Sequence, residues 1–496
     1  MSIRDVVFSE GTPATKSKKP VRVLGIDLGT TNSTVAEIVY EPSARNDISV
    51  RCLAVEQPTG NKSHWHPLVP SVVALHDGGE IVGEGARQLR ACSREAGLTE
   101  ECNLFAEVKN FMGLARTYPM APVGYRSPAE VSGRILSFLN EAARKDKAQE
   151  PTRTTVTVPA SFQVAQREDT LKAAALARIN VKGGDLLDEP VAAFIGYLAD
   201  HPDQRLVEIG DTKHLIVFDF GGGTCDVALF RLSTDLAGGL EVASLAVSRY
   251  NRLGGGDIDR VILHTVLLPQ IIEQNRLDRH AIDFDTKKSV IEPAFIGVAE
   301  SLKIGLCEKL AQAVDTDEET DNLLEVCHKK FVCNLPEGGS LTLVNPSLGQ
   351  ESFEEVLKHF LDTDLLFVRD TDFYQTLSIF SPIQDALERC GLSEEQIDLC
   401  LLAGGSCLIP QVRQALGAAF PLANLLTFST ADATQTAVAK GAALNALSLA
   451  LQNRPVVRSV CQESITIVTT SGTCNLVKRG RRSLGRRKVA IKKILT

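Results

Sequence analysis

The sequence lacks an apolar run long enough to cross a membrane as a helix. Its longest apolar stretches are broken by Lys, Asn or Gly well before the roughly 20 residues that such a helix needs. Residues 1–20 contain no apolar core of the kind found in a secretory signal. We therefore expect a cytoplasmic protein without a membrane contact.

The twelve cysteines also lack the spacing of a metal site or a disulfide framework. There is no Cys-x-x-Cys pair and no tight Cys/His cluster. This favours reduced thiols in a cytosolic protein over a structural zinc site. The length of 496 residues predicts roughly three domain-sized units.

Acidic residues outnumber basic ones outside one segment near the end of the sequence. Residues 478–496 contain nine Lys/Arg and no acid, so residues 1–477 have a net charge of −17 against −8 for the whole chain. An acidic body disfavours nucleic-acid binding, because the phosphate backbone would repel it. The basic tail is either a flexible solvated terminus or a contact with nucleic acid or an acidic surface.

A turn rich in glycine and threonine occurs twice, each time between an apolar strand and an alternating strand. This pattern predicts a β-hairpin. Two similar halves, each with its own turn, predict two lobes that face one ligand. The candidate ligand-binding residues are Asp27, Gly29, Thr30 and Thr31 in the first turn and Asp219, Gly222, Gly223 and Thr224 in the second.

These turns are suited to bind phosphate. Glycines next to a strand end let backbone N–H groups approach phosphate oxygens, and threonine hydroxyls add donors. Asp27 and Asp219 would repel phosphate unless a hard cation such as Mg²⁺ lay between carboxylate and phosphate, either directly or through water. Neither turn is a Walker loop or a Rossmann glycine motif.

Further segments have recognisable patterns. They comprise an amphipathic helix at 129–147, a β-branched strand in the segment 154–162 that ends at Pro159, an Ala-rich helix at 163–178, a third glycine turn at 399–412, a closing helix at 432–451 and two short strands at 464–480.

The combined motifs resemble the seventy-kilodalton heat-shock (DnaK-type) chaperones of the actin/sugar-kinase superfamily. The similarity covers about residues 21–450, and the motifs occur in the family's order: GIDLGTTNSTVA, VTVPASFQVAQR, LLDEPVAAFIGYL, FDFGGGTCDVALF, RLGGGDID and LLAGGSCLIPQV.

The resemblance implies an α/β fold with two actin-like lobes, which are duplicated ribonuclease-H-like units with four subdomains, followed by a short C-terminal β stub. The implied divisions are an arm at 1–20, lobe I at 21–210, lobe II at 211–450, a linker at 451–463, the stub at 464–480 and a basic tail at 481–496.

The resemblance also implies an ATP/ADP site with Mg²⁺. The phosphates would lie on Gly29, Thr30 and Thr31 from lobe I and on Gly222, Gly223, Thr224 and Gly255 from lobe II. The catalytic residues would be Lys109, Asp27, Asp219, Glu189 and Thr224. Of these, Asp27, Asp219 and Glu189 would also hold the metal, with Asp226 in the same network. The adenosine would contact Glu300, Lys303, Gly404, Gly405 and Ser406, and Pro159 and Arg167 match a pair that relays nucleotide state.

The sequence departs from the family at the adenine. Ile304 and Leu408 replace two arginines, Cys307 replaces a serine, and Gln435 replaces an acid. Loss of two guanidinium groups removes cation–π and hydrogen-bond partners of the base. We expect weaker nucleotide affinity than is usual in the family.

A second departure concerns partners. Asp185 and Asp188 replace the arginine and asparagine that help to receive a J-domain protein. A J-domain presents an acid there, so two carboxylates would repel it. We expect a specialised co-chaperone or none. A nucleotide-exchange factor is a further candidate partner.

The leading hypothesis is therefore a slow, Mg-dependent ATPase domain of a heat-shock-type chaperone with nucleotide-controlled lobe closure. One alternative is a nucleotide-binding regulatory or co-chaperone protein with little turnover. The other is a small-molecule kinase of the same superfamily, which the chaperone-like motifs disfavour.

Overall fold

The computed structural model describes residues 19–457 with short gaps, together with two strands beyond them. Residues outside the description are 1–18, 43–47, 61, 146–148, 235–239, 250–251, 279, 281, 317–322, 336–337, 364–368, 371–374, 458–464, 470–471 and 478–496. Most of the predicted arm, part of the linker and the basic tail therefore lie outside the described residues.

The first half of the chain combines strands with four α-helices among its described residues. The strands are β1 Val21–Asp27, β2 Asn32–Tyr40, β3 Arg51–Cys52, β4 Val55–Thr59, β5 Lys62–His66, β6 Val69–Pro70, β7 Val72–His76, β8 Gly79–Val82, β9 Leu104–Ala106, β10 Arg153–Val158 and β11 Leu186–Asp188. The helices are α1 Glu84–Ala91, α2 Pro128–Arg144, α3 Val164–Leu176 and α4 Glu189–Asp200.

The second half repeats this mixture, and the last elements among its described residues form a short hairpin. Its strands are β12 Thr212–Phe220, β13 Cys225–Thr234, β14 Leu240–Val247, β15 Leu324–Val326, β16 Lys330–Asn334, β17 Ser340–Val344, β18 Ser347–Gly349, β19 Arg369–Asp370, β20 Gln375–Thr376, β21 Leu399–Ala403, β22 Asn424–Leu426, β23 Ile465–Thr469 and β24 Gly472–Val477. Its helices are α5 Gly255–Ile262, α6 Leu268–Gln274, α7 Phe284–Thr286, α8 Glu292–Thr316, α9 Gln350–Lys358, α10 Phe380–Cys390, α11 Pro410–Ala419 and α12 Ala431–Gln452.

The two large sheets have the same topology. The first has the order β11-β10-β1-β2-β3 and the second the order β22-β21-β12-β13-β14. In each, a hairpin at the centre is antiparallel, and two later strands join it in parallel. The repeated order confirms the predicted two-lobed α/β fold with duplicated halves.

The closing helix α12 lies in the core between the sheets. A Cβ on Gly25 of β1 would lie 2.1 Å from the backbone nitrogen of Ala443, and one on Gly441 would lie 1.8 Å from the carbonyl oxygen of Ala192 in α4. One hydrophobic cluster combines side chains of both sheets with α4 and α12. Small residues therefore let α12 pack directly against the first sheet and α4, although it falls in the range predicted for lobe II.

The predicted amphipathic helix corresponds to α2. Ser127 caps its N-terminus by accepting a hydrogen bond from the backbone N–H of Glu130, and Pro128 occupies the first helical position. Val131 and Ile135 are buried, whereas Phe138 on the predicted apolar face is only partly buried.

The described cysteines are free thiols. Among the described residues, no helix combines the length and apolar character that a membrane span requires.

Candidate functional site

The tips of the two central hairpins meet face to face. A Cβ on Gly222 would lie 2.1 Å from Thr31 Oγ1, and one on Gly223 would lie 2.5 Å from Thr30 Cγ2. Any side chain at either glycine would therefore collide with the opposite turn. The structure therefore brings together the two turns that the sequence predicted to face one ligand.

The turn before α5 packs against the second hairpin tip. Gly255 and Gly256 donate their backbone N–H groups to the carbonyl oxygens of Gly221 and Gly222, at 3.0 and 2.8 Å. A Cβ on Gly254 would lie 2.3 Å from the backbone of Gly222. Gly255 thus lies beside the turn that the sequence predicted to bind phosphate.

The third glycine turn closes over the end of β12. Gly404 has φ 81°, in the left-handed region, and its Cβ would lie 2.7 Å from Asp219 Oδ1. Ser406 Oγ donates to the carbonyl oxygen of Gly221 at 2.9 Å. Gly405 follows Gly404 and faces the Gln435 side chain.

Lys109 forms a buried ion pair with Glu189. Lys109 Nζ lies 2.6 Å from Glu189 Oε1, and the two residues are only 5% and 6% exposed. Lys109 belongs to a 3-10 turn at Val108–Phe111, and Glu189 is the first residue of α4. Burial raises the pKa of Glu189 well above its ordinary value, although Lys109 opposes this.

Three further carboxyl groups interact electrostatically with this ion pair. Asp27 accepts a hydrogen bond from Thr157 Oγ1 at 3.0 Å, and Asp226 accepts one from Ser161 Oγ at 2.6 Å. Asp219 lies directly across the hairpin from Asp226. Burial and the charges of Asp226 and Asp27 raise the pKa of Asp219 to about 7, while Lys109 lowers it.

The excess of carboxylates over cations suits a divalent cation. Within the described part of the chain, no three acidic, histidine or cysteine side chains form a ready metal shell. Mg²⁺ commonly retains several waters and uses one or two carboxylates together with substrate phosphates. Asp27, Asp219 and Glu189 therefore fit a cation held partly through water better than one enclosed by protein ligands.

A phosphate also fits this cleft. Thr30 Oγ1 is buried and has no hydrogen-bond partner within the protein. Buried hydroxyls normally have a partner, so this group is a candidate donor to a phosphate oxygen. Thr224 is buried in the facing turn and hydrogen-bonds Asp226.

The structure brings together only some of the residues that were predicted to contact adenosine. Lys303 Nζ contacts Asp259 Oδ1 at 2.8 Å and the carbonyl oxygen of Gly255 at 3.2 Å, close to Ser406. Glu300, one turn earlier on α8, instead faces Arg87 of α1 at 3.6 Å. Lys303 is therefore placed at the phosphate turn, and Glu300 at the edge of the cleft.

The replaced adenine residues differ in exposure. Ile304 is 49% exposed, whereas Cys307 is buried. Gln435 lies near Gly405, with its amide nitrogen 3.4 Å from where a Cβ would be. The exposed aliphatic side chain of Ile304 offers neither the cation–π contact nor the hydrogen bonds of an arginine.

Asp185 and Asp188 each have an arginine within the chain. Asp185 is buried and pairs with Arg153 at 2.5 Å, and Asp188 pairs with Arg167 at 2.6 Å. These pairs add no net charge to the surface. The two carboxylates would therefore repel a J-domain less strongly than the sequence predicted.

Arg167 also holds the turn that follows Pro159. Its Nε donates to the carbonyl oxygen of Phe162 at 2.9 Å, and Ser161 in this turn reaches Asp226 of the other half. Thr157, Ser161 and Asp259 contact the site but were not singled out from the sequence. The sequence feature that could have identified them is their position within the motifs VTVPASF and GGGDID.

The sequence matches the Hsp70 protein family over residues 23–322 and 374–491. The chain belongs to the Hsp70 family. Its two-lobed architecture is the actin-like ATPase fold of that family, as the resemblance implied.

Curated relatives agree with this assignment. The chain is 29% identical to the chaperone protein DnaK of Mycoplasmoides gallisepticum over 405 residues, which cover 80% of this chain and 56% of the relative. It is 30% identical to the chaperone protein DnaK of Mesomycoplasma hyopneumoniae strain 7448 over 395 residues, covering 79% and 53%. This Hsp70 chain thus spans about half the length of the curated relatives it matches.

Proposed function

We propose that this chain is the ATP-binding, Mg-dependent ATPase domain of a heat-shock-type chaperone. The observation that best supports the proposal is the meeting of the two hairpin tips beside Lys109 and the buried carboxylates. Matching glycine turns from two lobes suit the binding of one triphosphate between them. Membership of the Hsp70 family supports the same activity.

The glycine turns bind and orient the phosphates in this proposal. Backbone N–H groups at Gly29 and Gly222 donate to phosphate oxygens, and the Thr30 hydroxyl supplies the donor that has no protein partner. The Gly255 N–H instead holds the second hairpin tip by donating to the carbonyl oxygen of Gly221. Lys303 donates a hydrogen bond to the Gly255 carbonyl oxygen, and Ser406 lies beside this turn. The donors are already in place before the reaction, which lowers the cost of orienting the substrate.

Lys109 stabilises charge on the transferring phosphoryl group and orients the attacking water. Glu189 fixes the ammonium position through the 2.6 Å ion pair, and the hydrogen bonds from Thr157 and Ser161 fix Asp27 and Asp226. Magnesium bound near Asp27 and Asp219 would neutralise charge on the phosphates. Positioning and electrostatic stabilisation account for most catalysis of phosphoryl transfer.

In this proposal, closure of the two lobes couples ATP binding and hydrolysis to the chaperone function. The donors of the phosphate site come from both halves, so binding of one triphosphate favours the closed arrangement. In this proposal, the hairpin β23–β24 is the first part of a peptide-binding domain. We propose slow turnover, a cytoplasmic location, a nucleotide-exchange factor and a specialised co-chaperone as further features.

One observation favours a regulatory protein with little turnover as the second candidate. Ile304 and Leu408 stand where the family has arginines at the adenine, and Ile304 is half-exposed. Weaker binding of the base follows from this difference. A regulatory protein would bind the nucleotide with the same residues but would release it unhydrolysed.

Single-turnover hydrolysis of bound ATP separates these candidates. We expect the wild type to hydrolyse ATP and Lys109→Ala to be slower by about a hundredfold or more, as for loss of a group that stabilises transition-state charge. Lys109→Met retains the length of the side chain and controls for collapse of the site. Lys145→Ala removes a surface lysine paired with Glu56 at 2.9 Å and should match the wild type.

Equal hydrolysis by wild type and Lys109→Ala would contradict the proposed role of Lys109. Tight ATP binding without any hydrolysis by the wild type would favour the regulatory candidate. Thermal unfolding of each variant establishes that it is folded.

A further inference from the structure

An ion pair joins the two halves of the molecule beside the Lys109 turn. Arg260 Nη2 donates to both carboxylate oxygens of Glu107, each at 2.8 Å. Glu107 lies in the first half, and Arg260 belongs to α5 of the second. The side chains are only 19% and 26% exposed. Hydrogen bonds between two charged groups are stronger than neutral ones, particularly away from bulk water.

Glu107 immediately precedes the turn that contains Lys109. It has φ 53°, a left-handed backbone conformation that is uncommon outside glycine. Such a conformation persists only where the surroundings hold it. The direction in which the chain enters Val108–Phe111 therefore depends on the contacts of Glu107.

Arg260 is anchored to the phosphate turn of the second half. Its Nη1 donates to Asp257 Oδ1 at 2.9 Å, and its Nε donates to Glu292 Oε1 at 3.2 Å. Asp257 Oδ2 in turn accepts from the backbone N–H of Gly254 at 2.8 Å. One guanidinium thus connects Glu107 with Asp257 and the turn beside the second hairpin tip. A lysine has a single nitrogen and cannot make these contacts together.

The surrounding charges keep both groups ionised. Burial alone would raise the pKa of Glu107, but Arg260, Arg90 and Arg252 hold it below its ordinary value. Burial alone would lower the pKa of Arg260, but its carboxylate partners raise it. Lys288 Nζ lies 2.9 Å from Glu292, so the cluster contains cations as well as acids.

We propose that Glu107 and Arg260 are positioning residues that hold Lys109 against the phosphate turns of the second lobe. The pair acts through the backbone of the Lys109 turn, without touching the nucleotide. This inference rests on the proposed ATPase function for its kinetic consequence, whereas its effect on the Lys109 turn is independent of nucleotide.

Two measurements on matched variants test the pair. The variants are Glu107→Gln, which removes the charge, and Arg260→Lys, which retains a charge but loses the forked contacts. The control is Glu325→Gln, because Glu325 pairs with Lys309 at 2.8 Å within one half and has a similar exposure of 22%. Amide hydrogen exchange across residues 108–112 is measured without nucleotide, and single-turnover hydrolysis with saturating ATP.

We expect Glu107→Gln to speed amide exchange in the Lys109 turn by about tenfold, and to slow hydrolysis by about ten- to a hundredfold, since small displacements of a catalytic group have effects of this size. Arg260→Lys should also speed amide exchange in the Lys109 turn and slow hydrolysis. ATP affinity should change less than the hydrolysis rate, which a general loss of stability would not produce. Glu325→Gln should match the wild type in both measurements.

Unchanged amide exchange in Glu107→Gln and Arg260→Lys would overturn the inference, as would equal effects in Glu325→Gln. If the wild type hydrolyses no ATP, the proposed function fails, and the exchange comparison still decides whether the pair holds the Lys109 turn. Faster exchange with unchanged hydrolysis would overturn the positioning role.

Discussion

At the scale of single residues, Asp219 shows how burial and neighbouring charges tune one carboxyl group. Burial raises its pKa most, Asp226 and Asp27 raise it further, and Lys109 opposes them, with a result of about 7. An unfolded aspartate has an ordinary value near 3.8. The folded state therefore retains a proton that the unfolded state releases, so this group destabilises the nucleotide-free fold as pH rises between those values.

This raised pKa predicts proton release when Mg²⁺ and ATP bind. A cation near Asp219 favours the ionised carboxylate, so binding at about pH 7 should release protons, and affinity should rise from about pH 6 to about pH 8. Calorimetric titration in two buffers with different ionisation heats measures the released protons. Asp219→Asn should reduce the release, and a pH-independent affinity in the wild type would refute the prediction.

The sequence predicted some site residues from chemistry and others only from resemblance. Asp27 and Asp219 were predictable because each ends an apolar strand before a glycine turn. Lys109 resembles any surface lysine in sequence, and its burial depends on Glu189, a residue distant in the chain. The partners of Asp185 and Asp188 were not predictable, because Arg153 and Arg167 reach them only in the folded sheet.

At the scale of elements, the packing of α12 depends on glycine at the helix contacts. Gly441 approaches the carbonyl oxygen of Ala192 so closely that a Cβ would lie 1.8 Å from it. Gly297 on α8 also lies within a helix, but an added Cβ there has no neighbour within 4 Å. The same substitution therefore has opposite consequences in the two helices.

We expect Gly441→Ala to lower the free energy of unfolding by about 1–3 kcal/mol or more, as overpacking does. Gly297→Ala should raise it by up to about 1 kcal/mol, because alanine is the better helix former. Urea unfolding of both variants measures the difference. If Gly441→Ala were as stable as Gly297→Ala, the close contact between α12 and α4 would be wrong.

The elements with strong local signals could be predicted from the sequence. Alternation of apolar residues around glycine turns predicted the hairpins β1–β2 and β12–β13, and Ser127 with Pro128 marks the start of α2. The position of α12 could not be predicted in this way. Its small residues indicate close packing, but only the tertiary structure shows that its partners are β1 and α4.

At the scale of the whole molecule, duplication explains why a single cleft can hold a triphosphate. Each half places a hairpin at the centre of a sheet with the same strand order, so equivalent turns approach from opposite sides. Contacts between the tips then join the halves at the site: Gly222 with Thr31 and Gly223 with Thr30. The recurring glycine turns predicted two similar halves, the resemblance implied duplicated lobes, and the match to the Hsp70 family agrees with both.

The most direct test is a crystal structure of the chain with Mg²⁺ and a non-hydrolysable ATP analogue. We expect both hairpin tips to contact the same triphosphate, with Thr30 and Thr224 within hydrogen-bond distance of its oxygens and Lys109 Nζ beside the terminal phosphate. An analogue held by one turn alone, or bound outside the space between the two tips, would contradict the account.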